Sequence, residues 1–361
     1  MTLLLTRNDL ETLLDPADCL AALREAFRTA GVSPVPGQRV VTGLPFPGTA
    51  TALLPGLLPG VEAYTVKVNA KFPGARPALR GVVCLFGGAD GALLALLDSA
   101  TVTAWRTGLA AALGTHLLAS PGPAGGAAAG VIGAGAQADL MVRGLRALRP
   151  CGELLVHDVD PERAASFAAR HGGRVVATPE AVAAEADLVL LATWSRTPLL
   201  HLADTRPGQH LTTLGADEPG KRELAADLLD AALLVVDDRP LGPVRRIFVG
   251  LRRLARTLAA RPHHPSTSST REIRAHAEST HQTPQALPRR SAGQGLAAAM
   301  GTPASVTLTD LLTGAHPGRT APDTRTVYSP VGLPWQDLAL SWLAHERARE
   351  RGIGQDVDFL E

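Results

Sequence analysis

The pattern of hydrophobic and polar positions differs between successive regions of the chain, and each region predicts its own secondary structure. Residues 7–30 repeat apolar side chains at helical spacing and predict two short amphipathic helices. Short runs over 38–98, separated by Gly, Pro and Asp turns, carry an alternating polar set and predict an antiparallel sheet. The alanine-rich stretch 100–119 predicts a long helix, which ends at a Pro-Gly-Pro break.

From residue 126 the pattern becomes an alternation of strands and helices. Its strands, such as those in GAAAGVIGAG, ELLVHDVD and DLVLLAT, are apolar throughout and do not alternate. Strands of this kind, joined by helices, are typical of a parallel sheet that is covered on both faces. After residue 300 the sequence predicts a helix, a strand and a final long helix. The predicted fold class is therefore α/β.

The stretch at about 244–295 fits neither pattern. It is rich in Arg, Pro, His, Ser and Thr, has weak periodicity after about residue 260, and is strongly basic. A basic arm for nucleic acid or another anionic partner is one interpretation. We favour an irregular, poorly ordered insert in the second half of the chain. A GC-rich segment translated out of frame would have the same composition.

Composition and charge narrow the function class. A net charge of +1 over 361 residues provides no global basic field, so we expect no nucleic-acid partner. Acidic residues directly follow the short apolar run at the N-terminus, so we expect neither a signal peptide nor a membrane segment. The three cysteines lack metal-binding spacing, which predicts reduced thiols in a cytoplasmic protein and no metal site.

The use of lysine is unusual. The chain has three lysines, Lys67, Lys71 and Lys221, against 32 arginines. Arginine is the usual cation of this chain, so a lysine indicates a position where a compact ammonium group is needed.

A glycine turn lies between the first apolar strand of the alternating region and its helix. Gly133, Gly135 and Ala138 match the pattern G-x-G-x-x-A. In that pattern the first glycine permits a tight turn and the second lets a pyrophosphate approach the backbone. The helix that follows, with Ala136 and Gln137 in its first turn, presents free N–H groups to the phosphates. The turn therefore predicts a dinucleotide site.

Two later positions complete this predicted cofactor site. Asp158 ends the second strand, twenty residues after Ala138, where dinucleotide folds place the carboxylate that holds the adenosine ribose. An acid at this position favours NAD over NADP, and Asp160 could share the role. Thr193 ends the strand in DLVLLAT and is predicted to lie beside the cofactor.

Four further segments give the chain a resemblance to a known family. They are GQRV with Arg39, YTVKVNAKFPG with Lys67, TVTAWRTGLAAA with Arg106 and Thr107, and GADEPGKREL at 215–224. Together with the glycine turn, they make the chain resemble the ornithine cyclodeaminase/mu-crystallin family over roughly 1–240 and 300–361.

The resemblance implies a divided architecture. Residues 1–120 and 325–361 would form an α+β domain that binds substrate and makes a homodimer. Residues 121–324 would form a Rossmann NAD-binding domain that contains the irregular insert.

The resemblance also implies roles for single residues. Arg39, Lys67 and Arg106 match the basic residues that hold the substrate carboxylate, and Thr107 is assigned to the cofactor. Asp217 matches the general base that acts on the substrate amine, so Asp217 and Lys67 are the predicted catalytic residues. This set suits a small amino-acid or imino-acid substrate, which needs cations for its carboxylate and an anion near its ammonium group.

The implied reaction converts L-ornithine to proline and ammonia by internal hydride transfer at the Cα–N bond. Two alternatives remain open: an amino-acid dehydrogenase or ketimine reductase on the same scaffold, and a non-catalytic NAD(P)H-binding protein of the mu-crystallin type. Ala52 stands where enzymes that act on ornithine carry a glutamate, which puts ornithine in doubt.

Overall fold

A computed structural model describes residues 1–30, 38–45, 47–72, 74–123, 126–214, 220–239 and 306–358, with the backbone alone at 38, 39, 53 and 54. The predicted insert at about 244–295 lies outside these residues. Of the helices in the described ranges, none is long and apolar enough to cross a membrane.

The first part of the chain builds one sheet and the helices that cover it. Up to residue 118 the elements are β1 (Thr2–Leu5), α1 (Arg7–Leu13), α2 (Pro16–Ala30), β2 (Gln38–Gly43), β3 (Thr49–Gly56), β4 (Ala63–Lys71), β5 (Leu79–Gly87), β6 (Leu93–Asp98) and α3 (Ser99–Leu118). The two predicted short helices are confirmed as α1 and α2. A capping box between Thr6 and Asp9 fixes the start of α1.

The later part of the chain builds a second sheet. Its elements are β7 (Ala127–Ile132), α4 (Ala136–Leu148), β8 (Cys151–His157), α5 (Pro161–His171), β9 (Arg174–Val175), α6 (Pro179–Glu185), β10 (Leu188–Leu191), β11 (His210–Thr213), α7 (Ala226–Asp230), β12 (Leu233–Val236), β13 (Val306–Thr307), α8 (Leu308–Leu312) and β14 (Thr326–Ser329). The last elements, α9 (Pro334–Arg351) and β15 (Gln355–Val357), return to the first sheet.

The first sheet has the strand order β15-β1-β6-β5-β4-β3-β2. Its strands β2 to β6 pair antiparallel, as the sequence predicts. Helices α2, α3 and α9 share one core with it, built around Phe27, Trp105 and Leu113. Valines on β2 and β4 stay exposed, Val40 by 53% and Val68 by 47%.

The second sheet is parallel throughout, in the order β13-β12-β14-β11-β10-β7-β8-β9. The strand order reverses between β7 and β10, and in such sheets ligands bind beyond the carboxyl ends of the strands at that reversal. Helix α3 is buried on nearly all sides because it packs against β5 of the first sheet and against α4 and β11 of the second.

The predicted domain boundary at 120/121 falls between α3 and β7, where the chain passes from the first sheet to the second. The boundary predicted at 324/325 falls just before β14, which pairs with β11 and β12 in the second sheet. Residues 326–329 therefore belong with the nucleotide-type sheet, and the return to the first sheet starts at α9. The division into two domains stays a prediction.

Candidate active site

A cavity of about 510 Å³ lies at the strand-order reversal, where the second sheet faces β4 and α3. Most of the predicted site residues that the structure describes line it. They are Lys67, Arg106, Thr107, Gly135, Ala136, Gln137 and Thr193. Residues that the sequence placed far apart are thus brought to one space, although their roles stay predictions.

Lys67 and Arg106 form a basic pair at one end of the cavity. The Lys67 Nζ donates to Asp337 Oδ1 at 2.7 Å and to Thr103 Oγ1 at 3.2 Å. The Arg106 Nε lies 3.4 Å from the same Asp337 oxygen, and its Nη1 donates to Gln336 Oε1 at 3.3 Å. All of these side chains are buried, and the Lys67–Asp337 pair is only 2% and 1% exposed. Buried charges of this kind persist only when they are paired.

Strand and helix periodicity explain why two cations are buried here. Lys67 occupies an inward position of β4, where inward and outward side chains alternate. Arg106 lies on α3, whose polar residues are buried together with its apolar ones. Both side chains therefore reach the cavity between the two sheets.

Three polar atoms of lining residues have no hydrogen-bond partner in the described part of the chain. They are Arg106 Nε, Thr107 Oγ1 and Gln336 Nε2. Because nearly all buried polar atoms in folded proteins are hydrogen-bonded, such atoms around a cavity indicate that a polar ligand completes them.

The glycine turn has the geometry that its sequence pattern predicts. Gly133 has φ +93°, and a Cβ there would lie 2.7 Å from the Ala192 carbonyl oxygen. At Gly135 a Cβ would meet nothing within 4 Å, so open space lies in front of this backbone. Helix α4 begins at the next residue, Ala136, and its free N–H groups face the same side.

Asp158 supports the turn. Its Oδ2 accepts from the Ala134 N–H at 2.8 Å and its Oδ1 from the Asp160 N–H at 2.9 Å. Its Oδ1 also lies 3.5 Å from the Arg163 Nη1, and Asp158 is not among the residues that line the cavity, so its contact with a ribose stays a prediction. Asp160 instead caps α5, accepting from the N–H groups of Glu162 and Arg163.

A buried carboxylate holds Thr193 in place beside the cavity. Glu223, 1% exposed, accepts from the Thr193 N–H at 2.5 Å, from its Oγ1 at 2.7 Å and from Thr213 Oγ1 at 2.6 Å. The described contacts of this carboxylate are with these two threonines.

A second buried acid lies behind Arg106. Asp237 accepts from the Val331 N–H at 2.9 Å and from the Gly332 N–H at 2.7 Å. Burial raises the pKa of Asp237 to about 6, although these hydrogen bonds and Arg106 lower it. Arg106 therefore has anionic side chains from two elements near it.

All three lysines of the chain line this one cavity. The ammonium groups of Lys71 and Lys221 lie 5.1 and 5.5 Å from the centre of the Trp194 ring. Among the described lining residues the cations are Arg7, Lys67, Lys71, Arg106 and Lys221, and Glu11 is the one acid. The described ranges contain no group of three or more His, Cys, Asp or Glu side chains that could hold a metal ion.

For two predicted site residues, Asp217 and Arg39, the structure does not describe the side chain. Asp217 lies outside the described residues. Arg39 is described by its backbone, which occupies the register row Arg39–Leu53–Lys67 across β2, β3 and β4. Ala52 pairs with Val68 in the neighbouring row and does not line the cavity; Thr51 does. The use of Ala52 as a marker of substrate choice stays a prediction.

Sequence reasoning missed Asp337, which contacts both members of the basic pair, and Gln336, which accepts a hydrogen bond from Arg106. Their signal is a polar Gln-Asp pair in the first turn of the apolar stretch WQDLALSWLA. A buried acid cannot be told from a surface acid in a helix start, where acids are common.

The chain is similar to known proteins in sequence and in structure. The sequence model of the ornithine cyclodeaminase/mu-crystallin family matches residues 1–247. The chain is 24% identical to the alanine dehydrogenase of Archaeoglobus fulgidus over 99% of each protein. It is 36% identical to the L-lysine cyclodeaminase of Streptomyces rapamycinicus over 46% of this chain and 54% of that protein.

A solved structure confirms the predicted Rossmann-type α/β fold. The Δ1-pyrroline-2-carboxylate reductase of Thermococcus litoralis, determined with NADH and L-proline, matches with a TM-score of 0.78 and 24% identity. The match covers 99% of this chain and 100% of that one. Since the family match spans more than half of the sequence, this chain belongs to the ornithine cyclodeaminase/mu-crystallin family.

Proposed function

We propose that the protein is an NAD(H)-dependent enzyme that acts at the Cα–N bond of a small α-amino or α-imino acid. One observation carries the proposal. The buried pair Lys67 and Arg106, suited to a carboxylate, shares a cavity with a glycine turn that opens a helix. If the basic pair holds the carboxylate of the substrate, the α-carbon of the substrate would lie towards a dinucleotide bound at the glycine turn.

The residues present fit a dinucleotide. The open space at Gly135 lets a pyrophosphate approach the backbone, and the first turn of α4 offers its N–H groups. Thr107 and Thr193 line the same cavity as this turn and the basic pair. Bound NAD supplies the acceptor or donor of a hydride. The carboxylate of Asp158 supports the choice of NAD over NADP.

The substrate carboxylate would pair with Lys67 and Arg106, both of which line the cavity. The amine must lose or gain a proton when the Cα–N bond changes order, and we assign that proton to Asp217. Its position in the sequence supports this, because Leu214, three residues earlier, lines the cavity at the end of β11.

The sequence relatives favour one of two reactions. The chain matches an alanine dehydrogenase and a Δ1-pyrroline-2-carboxylate reductase over 99% of its length, whereas its match to an L-lysine cyclodeaminase covers 46%. We therefore propose imino-acid reduction, or amino-acid oxidation in reverse, in preference to cyclodeamination of ornithine.

The experiment follows a substrate panel at 340 nm with amine analysis. Loss of NADH with Δ1-pyrroline-2-carboxylate or another imino acid supports the reductase. Proline and ammonia from L-ornithine and NAD⁺, without net NADH, would establish cyclodeamination instead. Tight NADH binding without turnover of any amino or imino acid would refute the proposal. The variant R106Q should lose turnover, and R174Q, which removes an exposed arginine paired with Glu153, should not.

We also propose a cytoplasmic homodimer. The row Val40, Ala52 and Val68 crosses three strands on the face of the first sheet opposite the cavity, and its valines are exposed. A second copy would bury such a row. Light scattering tests this with V68K, expected to be monomeric. V175K is the matched control, because Val175 is 46% exposed on β9. A V68K dimer would contradict this interface.

A further inference from the structure

Asp337 lies behind the basic pair and not in the cavity itself. Its Oδ1 contacts the Lys67 Nζ at 2.7 Å and lies 3.4 Å from the Arg106 Nε. Lys67 and Arg106 line the cavity, whereas Asp337 does not. One carboxylate oxygen thus joins a strand of the first half of the chain, β4, to helix α3.

The contact between Asp337 and Lys67 affects the charge of the buried lysine. An ammonium group in a buried site loses its proton unless an anion stands beside it. Among the described groups, Asp337 on α9 contacts the Lys67 ammonium group, and Arg106 on α3 lies beside the same carboxylate, with Asp237 near Arg106. Glu11, Arg7 and Lys71 are the other charged residues near Lys67 in the described lining of the cavity. Asp337 is the carboxylate in direct contact with Lys67 in this set, so it opposes the repulsion between the two cations.

The geometry of Asp337 is not that of a group that serves stability alone. Its Oδ2 is buried and has no hydrogen-bond partner in the part of the chain that the structure describes. Leaving a buried acceptor unsatisfied is unfavourable. The Asp337 side chain nevertheless places its Oδ1 beside both cations. Lys67 also donates to Thr103, and Arg106 also donates to Gln336.

We infer that Asp337 is a positioning residue for substrate binding, which holds Lys67 and Arg106 charged and oriented so that a carboxylate meets a preformed site. The inference rests on the proposed function for the identity of that carboxylate. With this role for Asp337, the first turn of α9 contributes to a substrate site that is otherwise built by β4, α3 and the second sheet.

The test is the variant D337N, with D18N as the control. Asp18 pairs with Arg347 away from the cavity, so D18N removes an ion pair of α9 without touching the site. We expect D337N to raise KM for the imino acid at least tenfold and to move the alkaline limb of kcat/KM to lower pH. The Kd of NADH should stay within twofold. A KM within twofold of wild type with an unmoved alkaline limb would overturn the inference, because a purely structural role changes only the melting temperature and the amount of active protein.

A second measurement uses the wild-type protein with NADH bound and does not need turnover. With ¹³C at the lysine ε-carbon, the chain gives three resonances, which K71R and K221R assign. We expect the Lys67 resonance to keep its ammonium position up to pH 9 and to shift when L-proline is added. Loss of the Lys67 proton below pH 8 would overturn the inference even if D337N does not fold. If no imino acid is turned over while Lys67 behaves as expected, the proposed function fails and this inference stands.

Discussion

The α-carbon of Gly332 lies directly against the guanidinium of Arg106. A Cβ at Gly332 would fall 1.8 Å from Arg106 Nη1 and 2.7 Å from its Cζ. The loop between β14 and α9 therefore sets how far Arg106 can withdraw from the cavity. The backbone of Gly332 also has φ +79°, a conformation that glycine adopts without strain.

Replacing Gly332 by alanine should displace Arg106 and weaken substrate binding. We expect KM for the imino acid to rise about tenfold or more, since a bidentate contact of an arginine depends on its orientation. The Kd of NADH should change little. The control is G314A: Gly314 has φ +75°, and a Cβ there meets nothing within 4 Å. If G332A and G314A have the same KM, Gly332 does not position Arg106.

The two glycines of the turn should separate folding from cofactor binding. G133A combines φ +93° with a Cβ 2.7 Å from a carbonyl oxygen, and we expect it to lower the free energy of unfolding by about 1–3 kcal/mol. G135A places its methyl in open space, so it should melt near the wild-type temperature yet bind NADH at least about tenfold more weakly. Thermal melts and fluorescence titration with NADH check both. Unchanged NADH affinity in G135A would mean that the pyrophosphate lies elsewhere.

Removing the charge of Glu223 should loosen Thr193. In E223Q an amide N–H₂ would face one of the three donors that the carboxylate now accepts. We expect a loss of stability of about 1–3 kcal/mol and a several-fold weaker affinity for NADH. E153Q, at an exposed acid on β8, is the control. Wild-type NADH affinity in E223Q would show that Thr193 does not contact the cofactor.

Asp237 should make stability depend on pH. Burial raises its pKa from 3.8 to about 6, so the folded state holds this proton more tightly than the unfolded state. The stabilising contribution is therefore complete below pH 3.8 and is lost as the pH rises through about 6. Two pH units correspond to about 3 kcal/mol.

Urea unfolding of wild type and D237N at pH 4, 5, 6 and 7 measures this contribution. Asparagine cannot ionise, so the stability of D237N relative to wild type should rise by about 2.4 kcal/mol between pH 4 and pH 7. A difference that does not change with pH would mean that Asp237 is not held in a raised-pKa environment.

Local patterns predicted the parts of the fold that depend on local chemistry. The apolar runs and the glycine turn around Gly133 predicted a parallel sheet and a dinucleotide-type turn, because strand burial and turn geometry depend on consecutive residues. The position of β14 was not predictable in this way. It enters the sheet between β11 and β12, so its neighbours are set by packing and not by chain order.

Some site residues could also be predicted from local sequence, whereas others depend on packing between distant elements. Lys67, Arg106 and Thr107 were predicted from their motifs, and the cavity brings them together. Asp337 lies 270 residues from Lys67 in the sequence, so nothing near either residue indicates their contact. Burial of a charge is decided by which elements meet, and α9 meets β4 only in the folded chain.

In the proposed function, a hydride passes between NADH and the α-carbon of an imino acid in this cavity. The most direct test incubates the protein with NADH dideuterated at C4 of the nicotinamide and a panel of imino acids that includes Δ1-pyrroline-2-carboxylate. Mass spectrometry and NMR then locate deuterium in the products. We predict one deuterium at Cα of the amino-acid product, and none with R106Q. The contrary result is a protein that binds this NADH but transfers no deuterium to the α-carbon of any imino acid in the panel. That result would refute the proposed function.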